Sequence, residues 1–203
     1  LATLYKGSIS LNTPMIYGLS FIFIFSIGGL TGLHLATLAT DIHLHDSYFV
    51  VAHFHYVFVG GIVFGIYSGI YYWFPKFTGR LMDETLGKIN FWMIFIGMNI
   101  TFFPMHFTGL NGMPRRIYTY DSGMGWDLWN IVATVGAFML AGSILVFVIN
   151  LVRSAKSGEI VFDPLYGKER VKRPTRSSHT YSCMVGKSFV HIVAGTLVTS
   201  YLL

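Results

Sequence analysis

Four stretches of this chain are long and apolar enough to cross a lipid bilayer, which takes roughly 20 residues of helix. They run approximately from Pro14 to Leu38, Ser47 to Phe74, Ile89 to Thr108 and Trp129 to Val152. Inside hydrocarbon each backbone N–H and C=O must find a partner within the protein, so such segments are predicted to be helices. The fold class that follows is all-α, a transmembrane helix bundle of four spans. Composition agrees, since 53% of the 203 residues are hydrophobic and 11% are charged, against about a quarter charged in soluble domains. A water-soluble globule is excluded. A fifth apolar stretch, Ser188 to Leu203, is short and carries His191, and it reads as a docked terminal segment. The division expected is a membrane bundle over 1–152 and a basic tail with a short apolar end over 153–203.

Charge orients the bundle. Residues 1–152 hold six Lys/Arg and six Asp/Glu, whereas the tail from Arg153 holds eight Lys/Arg against three acids and accounts for the net charge of +5. Basic segments beside a membrane favour the inner side and anionic lipid. Nucleic-acid binding is not expected, because the tail shows no recognisable module. The Lys76–Lys88 loop, Lys6 and the tail therefore belong inside. The Ala39–Asp46 loop, with two Asp and no Lys or Arg, belongs outside, and alternation puts the Leu110–Trp126 loop outside too. That loop carries Arg115 and Arg116 against the positive-inside tendency, which calls for an anionic partner within the protein. The lone Cys183 excludes an internal disulfide and a thiolate-rich metal site. The start shows neither an initiator Met nor a secretory signal, so the chain is expected to be cut from something longer or processed.

The stretch from His45 to Val57 carries the chemistry. Residues two apart on a helix point roughly 200° apart, so His53 and His55 look toward different neighbours. On a strand they would share one ion. An ionisable side chain at membrane depth is costly and normally functional, and neutral imidazole is a good ligand for haem iron. A lone buried His would more often be hydrogen-bonded structure. Two on opposite faces of one apolar span favour two ligand sites.

At the outer end of that span His45 and Asp46 make half of a divalent-ion site, with further donors needed. By spacing alone a helix N-cap is the simpler reading of Asp46. Arg115 and Arg116 suit carboxylate partners, whether haem propionates or lipid head groups. Asp41 would sit awkwardly beside propionates unless countered by those arginines. His34 and His43 carry no ligand assignment. Nor does His106, which follows Pro104 and is placed to satisfy backbone groups freed by that proline.

Four blocks, HDSYFVVAHFHYV at 45–57, GGLTG at 28–32, MNITFFPMHF at 98–107 and GMPRR at 112–116, closely resemble subunit I of the cytochrome c oxidases, in the haem–copper oxidase family. The resemblance covers residues 1 to about 152, and the tail does not share it. It implies that His53 is the proximal ligand of haem a3 and His55 an axial ligand of haem a. It implies Mg2+ at His45 and Asp46, in preference to the cap, and haem propionates at Arg115 and Arg116 with Asp41 in the same cluster. The spans look like the last four of the family's twelve helices. The copper (CuB) ligands, the cross-linked Tyr, the second axial His of haem a and the main proton-uptake channels all belong to the family's first half, absent here. Local departures are Ser47 for the usual Thr, Phe49 for a common Tyr and Met105 for the usual Gln.

The function this implies is electron transfer from haem a to the haem a3–copper centre, with O2 reduced to water and protons pumped. The partners implied are the N-terminal half of subunit I, subunits II and III, cytochrome c as donor, and membrane lipid. A subunit encoded in two pieces is preferred to a truncated one, in the mitochondrial inner membrane or alternatively a bacterial plasma membrane. Two other classes remain: a b-type dihaem electron carrier, and a membrane transporter whose histidines relay protons. An optical spectrum of the complex separates them, by a-type bands, b-type bands or none.

Overall fold

The computed structural model describes residues 4–160. The predicted tail beyond that point, including Ser188–Leu203, lies outside the described residues. Six α-helices and one π-helical turn follow in order: α1 (Thr13–Ala36), α2 (Leu38–Leu44), α3 (Tyr48–Phe58), the π-turn (Val59–Val63), α4 (Phe64–Thr78), α5 (Glu84–Leu110) and α6 (Asp127–Ser157). Helices α3 and α4 join through the π-turn into one span, Tyr48–Thr78, so four segments are long and apolar enough to cross a membrane. No strand forms among the described residues. Two isolated bridges, Ser47 with Pro114 and Arg80 with Ile160, tie the loops at either end.

The helix ends follow local chemistry. Pro14 sits in the first turn of α1, and the N–H of Thr13 donates to Glu84 Oε1 at 2.7 Å, so α5 caps α1 across space. Asp83 caps α5 by accepting from the N–H groups of Thr85 and Leu86 at 2.8 and 3.1 Å, as an N-cap carboxylate should. Gly79, at φ +69, ends α4 in the left-handed conformation that a side chain resists.

Three details depart from the sequence expectation. The outer Ala39–Asp46 stretch is largely helical, as the seven-residue α2. The third span starts at Glu84 rather than Ile89, because Asp83 supplies a cap that hydropathy does not register. The fourth runs to Ser157, carrying Arg153 and Lys156 on its last turns past the expected boundary at Val152.

Helix α3 lies between α1 and α5, α4 returns along α1, and α6 packs along α5. The core unites Tyr17, Phe21 and Ile24 of α1 with Tyr56, Phe64, Tyr71, Phe91, Ile94 and Met98. At the α5–α6 crossing a Cβ on Gly136 would come 2.5 Å from Thr101 Oγ1 and 2.9 Å from the Gly97 carbonyl oxygen. Only hydrogen fits there, in keeping with small residues at membrane helix contacts.

Candidate functional site

His53 and His55 stand half-buried on α3, in its second turn and at the end of that turn, and face opposite neighbours. His53 turns to α1, with Nδ1 2.9 Å from the Gly28 carbonyl oxygen and 3.1 Å from Thr31 Oγ1. The Thr31 hydroxyl donates to that same carbonyl at 2.9 Å, leaving its oxygen to accept. A Cβ on Gly32 would reach 2.9 Å from His53 Cε1. The GGLTG block is therefore the cradle of this imidazole, with one glycine giving a carbonyl and another giving room.

His55 turns to α5. Its ring stacks on Phe102 at 4.0 Å and 13°, and on Phe54 at 4.4 Å and 30°. Its Nδ1 lies 2.7 Å from the Val51 carbonyl oxygen. A carbonyl can only accept, so Nδ1 carries the proton in both rings and Nε2 keeps its lone pair. Neither Nε2 makes a hydrogen bond among the described residues. This is the arrangement that presents an imidazole to iron, with the remote nitrogen tied to backbone. The rings fit two haem sites on opposite sides of one helix.

His106 has a different setting. Its Nδ1 lies 3.2 Å from the Phe103 carbonyl oxygen, and its ring meets Phe49 and Tyr56 edge-on at 5.1 and 5.5 Å. Its Nε2 is buried without a partner among the described residues. The carbonyl it approaches belongs to Phe103 itself, three residues back.

At the outer end the charged candidates converge. Asp46 adopts φ +56, a left-handed conformation that Asp tolerates. Its backbone oxygen accepts from the Arg115 N–H at 2.9 Å. The Asp46 carboxylate receives Arg115 Nε at 2.5 Å and Nη2 besides. The arginine beside it holds the Asp46 carboxyl below its ordinary range. His45 Nε2 lies 3.9 Å from Asp46 Oδ2, and His45 Nδ1 lies 3.7 Å from Asp41 Oδ2. Arg116, at φ +68, is exposed.

Each sequence candidate thus has a place. The anionic partner demanded by an outer arginine is, for Arg115, the Asp46 carboxylate. The cap of α3 is Ser47, accepting from the Phe49 N–H at 3.2 Å, and not Asp46. Asp41 stands with His45, which lies beside Asp46, the partner of Arg115. Among the described residues no three His, Cys, Asp or Glu side chains close into a metal cluster. His45 and Asp46 by themselves make at most two ligands of an ion that would complete its shell with water and donors from elsewhere.

Sequence reasoning missed the polar knot at the other end. Tyr17 donates to Asn90 Oδ1 at 2.5 Å, Asn90 Nδ2 donates to the Ser143 carbonyl at 2.7 Å, and Asn150 Nδ2 reaches Tyr71 Oη at 3.4 Å and the Asp83 carbonyl at 3.1 Å. Asn90 and Asn150 are each isolated amides in apolar runs, a signal of buried polar partners. Thr31 was also missed as a support of His53, though it lies inside the GGLTG block.

The family described as cytochrome C and quinol oxidase polypeptide I matches residues 1–139. The chain is 51% identical over 170 residues to cytochrome c oxidase subunit 1 of Bacillus sp. (strain PS3), covering 84% of this chain and 28% of that protein. It is 51% identical over 166 residues to cytochrome c oxidase subunit 1 of Thermostichus vulcanus, covering 82% and 30%. It is 48% identical over 161 residues to the probable cytochrome c oxidase subunit 1-alpha of Streptomyces avermitilis, covering 79% and 28%. The chain spans under a third of the length of these relatives.

Proposed function

The chain belongs to the cytochrome c and quinol oxidase polypeptide I family, and we propose that it supplies the last four helices of subunit I in an aa3-type cytochrome c oxidase. The observation that carries the reading is the pair of imidazoles on α3, turned to opposite neighbours, each with Nδ1 tied to a carbonyl and Nε2 free among the described residues. His53 would hold haem a3 and His55 haem a, one ligand to each. Bound there, the haems would carry electrons from haem a to the haem a3–copper centre, where O2 is reduced to water with protons pumped.

The residues of this chain position and shield. Gly28, Thr31 and Gly32 fix the plane of the His53 ring against α1, and Phe102 fixes that of His55 against α5. A rigid helix with one residue between the two ligands keeps their separation constant. Arg115 and Arg116 would meet haem propionates, with Asp41 nearby. Since Arg115 is engaged by Asp46, a propionate there would share the guanidinium with that carboxylate. His45 and Asp46 would hold Mg2+ with donors from a neighbouring subunit. The copper ligands and the second axial His of haem a would come from the remainder of subunit I.

That remainder, subunits II and III, cytochrome c and membrane lipid are the proposed partners. The relatives named above are bacterial, which supports a bacterial plasma membrane over the mitochondrial inner membrane. Residues 1–152 would act as the bundle and the basic tail from 153 as an inner-side extension.

The test is optical. The purified complex containing this chain is expected to show a-type bands. His53→Ala and His55→Ala are each expected to remove one haem, a different one in each variant. Bands of b-type alone, or no Soret absorption, would overturn the reading in favour of a dihaem carrier or a transporter.

A further inference from the structure

The two imidazoles on α3 are held by different oxygen sets. His55 Nδ1 meets one acceptor, the Val51 carbonyl oxygen of its own helix, at 2.7 Å. His53 Nδ1 meets two, both on α1: the Gly28 carbonyl oxygen at 2.9 Å and Thr31 Oγ1 at 3.1 Å. Those two oxygens lie 2.9 Å apart, joined by the Thr31 hydroxyl. Three polar atoms thus form a nearly equilateral triangle that holds two protons, one from the hydroxyl and one from the ring.

The carbonyl carries no proton, so the Thr31 hydroxyl and the His53 Nδ1–H both donate toward it. The Thr31 oxygen keeps lone pairs of its own and draws on the same Nδ1–H, which cannot aim straight at both acceptors. A hydroxyl returning to a carbonyl of its own helix is common by itself. The imidazole proton in the same triangle is what gives this one a consequence. Position is fixed separately. A Cβ on Gly32 would reach 2.9 Å from His53 Cε1, and one on Gly28 would reach 3.0 Å from the Val57 nitrogen. The ring lies on one glycine and the α3 backbone on the other, so the docking of α1 on α3 does not depend on the hydroxyl between them.

We propose that Thr31 moderates how strongly His53 donates to haem iron, an inference that rests on His53 holding haem. A remote N–H tied firmly to a carbonyl raises the basicity of the ligating nitrogen. By engaging the Gly28 carbonyl and sharing the Nδ1 proton, the Thr31 hydroxyl weakens that tie and keeps His53 the softer donor. His55, tied to one carbonyl, has no such hydroxyl among the described residues. Thr31 acts through His53 and is a positioning residue.

The experiment uses the purified, reduced complex and reads the iron–histidine stretching band of the high-spin haem by resonance Raman spectroscopy. Thr31→Val keeps the side-chain shape and removes the hydroxyl, leaving the Gly28 carbonyl to the ring alone. The band is expected to shift to higher frequency, and the midpoint potential of that haem to fall, since a stronger donor favours ferric iron. Thr31→Ser returns the hydroxyl and is expected to bring both back toward wild type. The absorption bands of the low-spin haem serve as the control and stay in place. An unchanged or lowered frequency in Thr31→Val, or a Thr31→Ser variant that behaves like Thr31→Val, would defeat the proposal while leaving His53 as the ligand. A wild-type complex without any iron–histidine band would remove the His53 assignment itself, and the proposal with it.

Discussion

The two ends of this bundle bury polar groups in opposite ways. At the inner end the knot of Tyr17, Asn90, Tyr71 and Asn150 is closed by the chain itself, each amide finding a hydroxyl or a carbonyl on a neighbouring helix. Asn90, Asn150 and Tyr17 are fully buried. Toward the outer end, among the described residues, His53 and His55 satisfy only their Nδ1 atoms and leave Nε2 open. One region is finished by its own residues. The other leaves two imidazole nitrogens unpaired among the described residues, as the proposed haem sites would require.

The comparison breaks most visibly at the histidines. His53→Ala and His55→Ala should each cost the assembled complex one haem, read by haem extraction, while the protease resistance of the helical bundle stays close to wild type. If bundle resistance falls as far as haem content, the histidines are scaffold and the contrast fails. Because each site lacks partners held elsewhere, this chain expressed alone should retain no stable haem. Purification with both haems and no companion polypeptide would sink that expectation.

Packing comes next. Gly136→Leu drives a side chain into Thr101 and the Gly97 carbonyl, at a cost of about 1–3 kcal/mol. Thermal unfolding in detergent should show a lowered midpoint with haem spectra unshifted in the surviving protein. Asn90→Leu leaves the Tyr17 hydroxyl and the Ser143 carbonyl without their partner. A loss on the order of 1–2 kcal/mol is expected, again by thermal unfolding. An unchanged midpoint would mean the knot is not what seals the inner end.

The smallest effect belongs to Asp46. Its carboxyl titrates below the ordinary range because Arg115 binds the charged form. A depressed carboxyl stabilises above its unfolded pKa, and the contribution is lost as pH falls through the folded value. The Asp46–Arg115 tie should therefore hold at neutral pH and release on strong acidification. Hydrogen exchange of the Arg115 amide should accelerate there in the wild type. In Asp46→Asn the guanidinium contact is weakened at every pH, so the acid step should disappear.

Much of the fold was legible because hydropathy and length are local quantities. Four apolar runs gave four spans, and helical periodicity alone put His53 and His55 on opposite faces. Helix α2 was not legible, since a short polar stretch with Asp and His reads as a loop until its contacts decide otherwise. The π-turn at Val59–Val63 was equally hidden. Within it Gly60 packs against Ile24, where a Cβ would come 2.5 Å from Ile24 Cγ2.

What the sequence by itself determined is the membrane environment, the number of spans, the opposed histidines and the outer arginines' need for an anion. Each depends on residue type and on spacing along a single helix. What only the tertiary structure decided is which atoms meet across distance. Arg115 chose Asp46, 69 positions away, and Glu84 caps α1 from α5. His53 found its carbonyl on Gly28, and the cap of α3 passed from Asp46 to Ser47. Such pairings depend on how helices dock and turn against one another, and no periodicity within one segment encodes them.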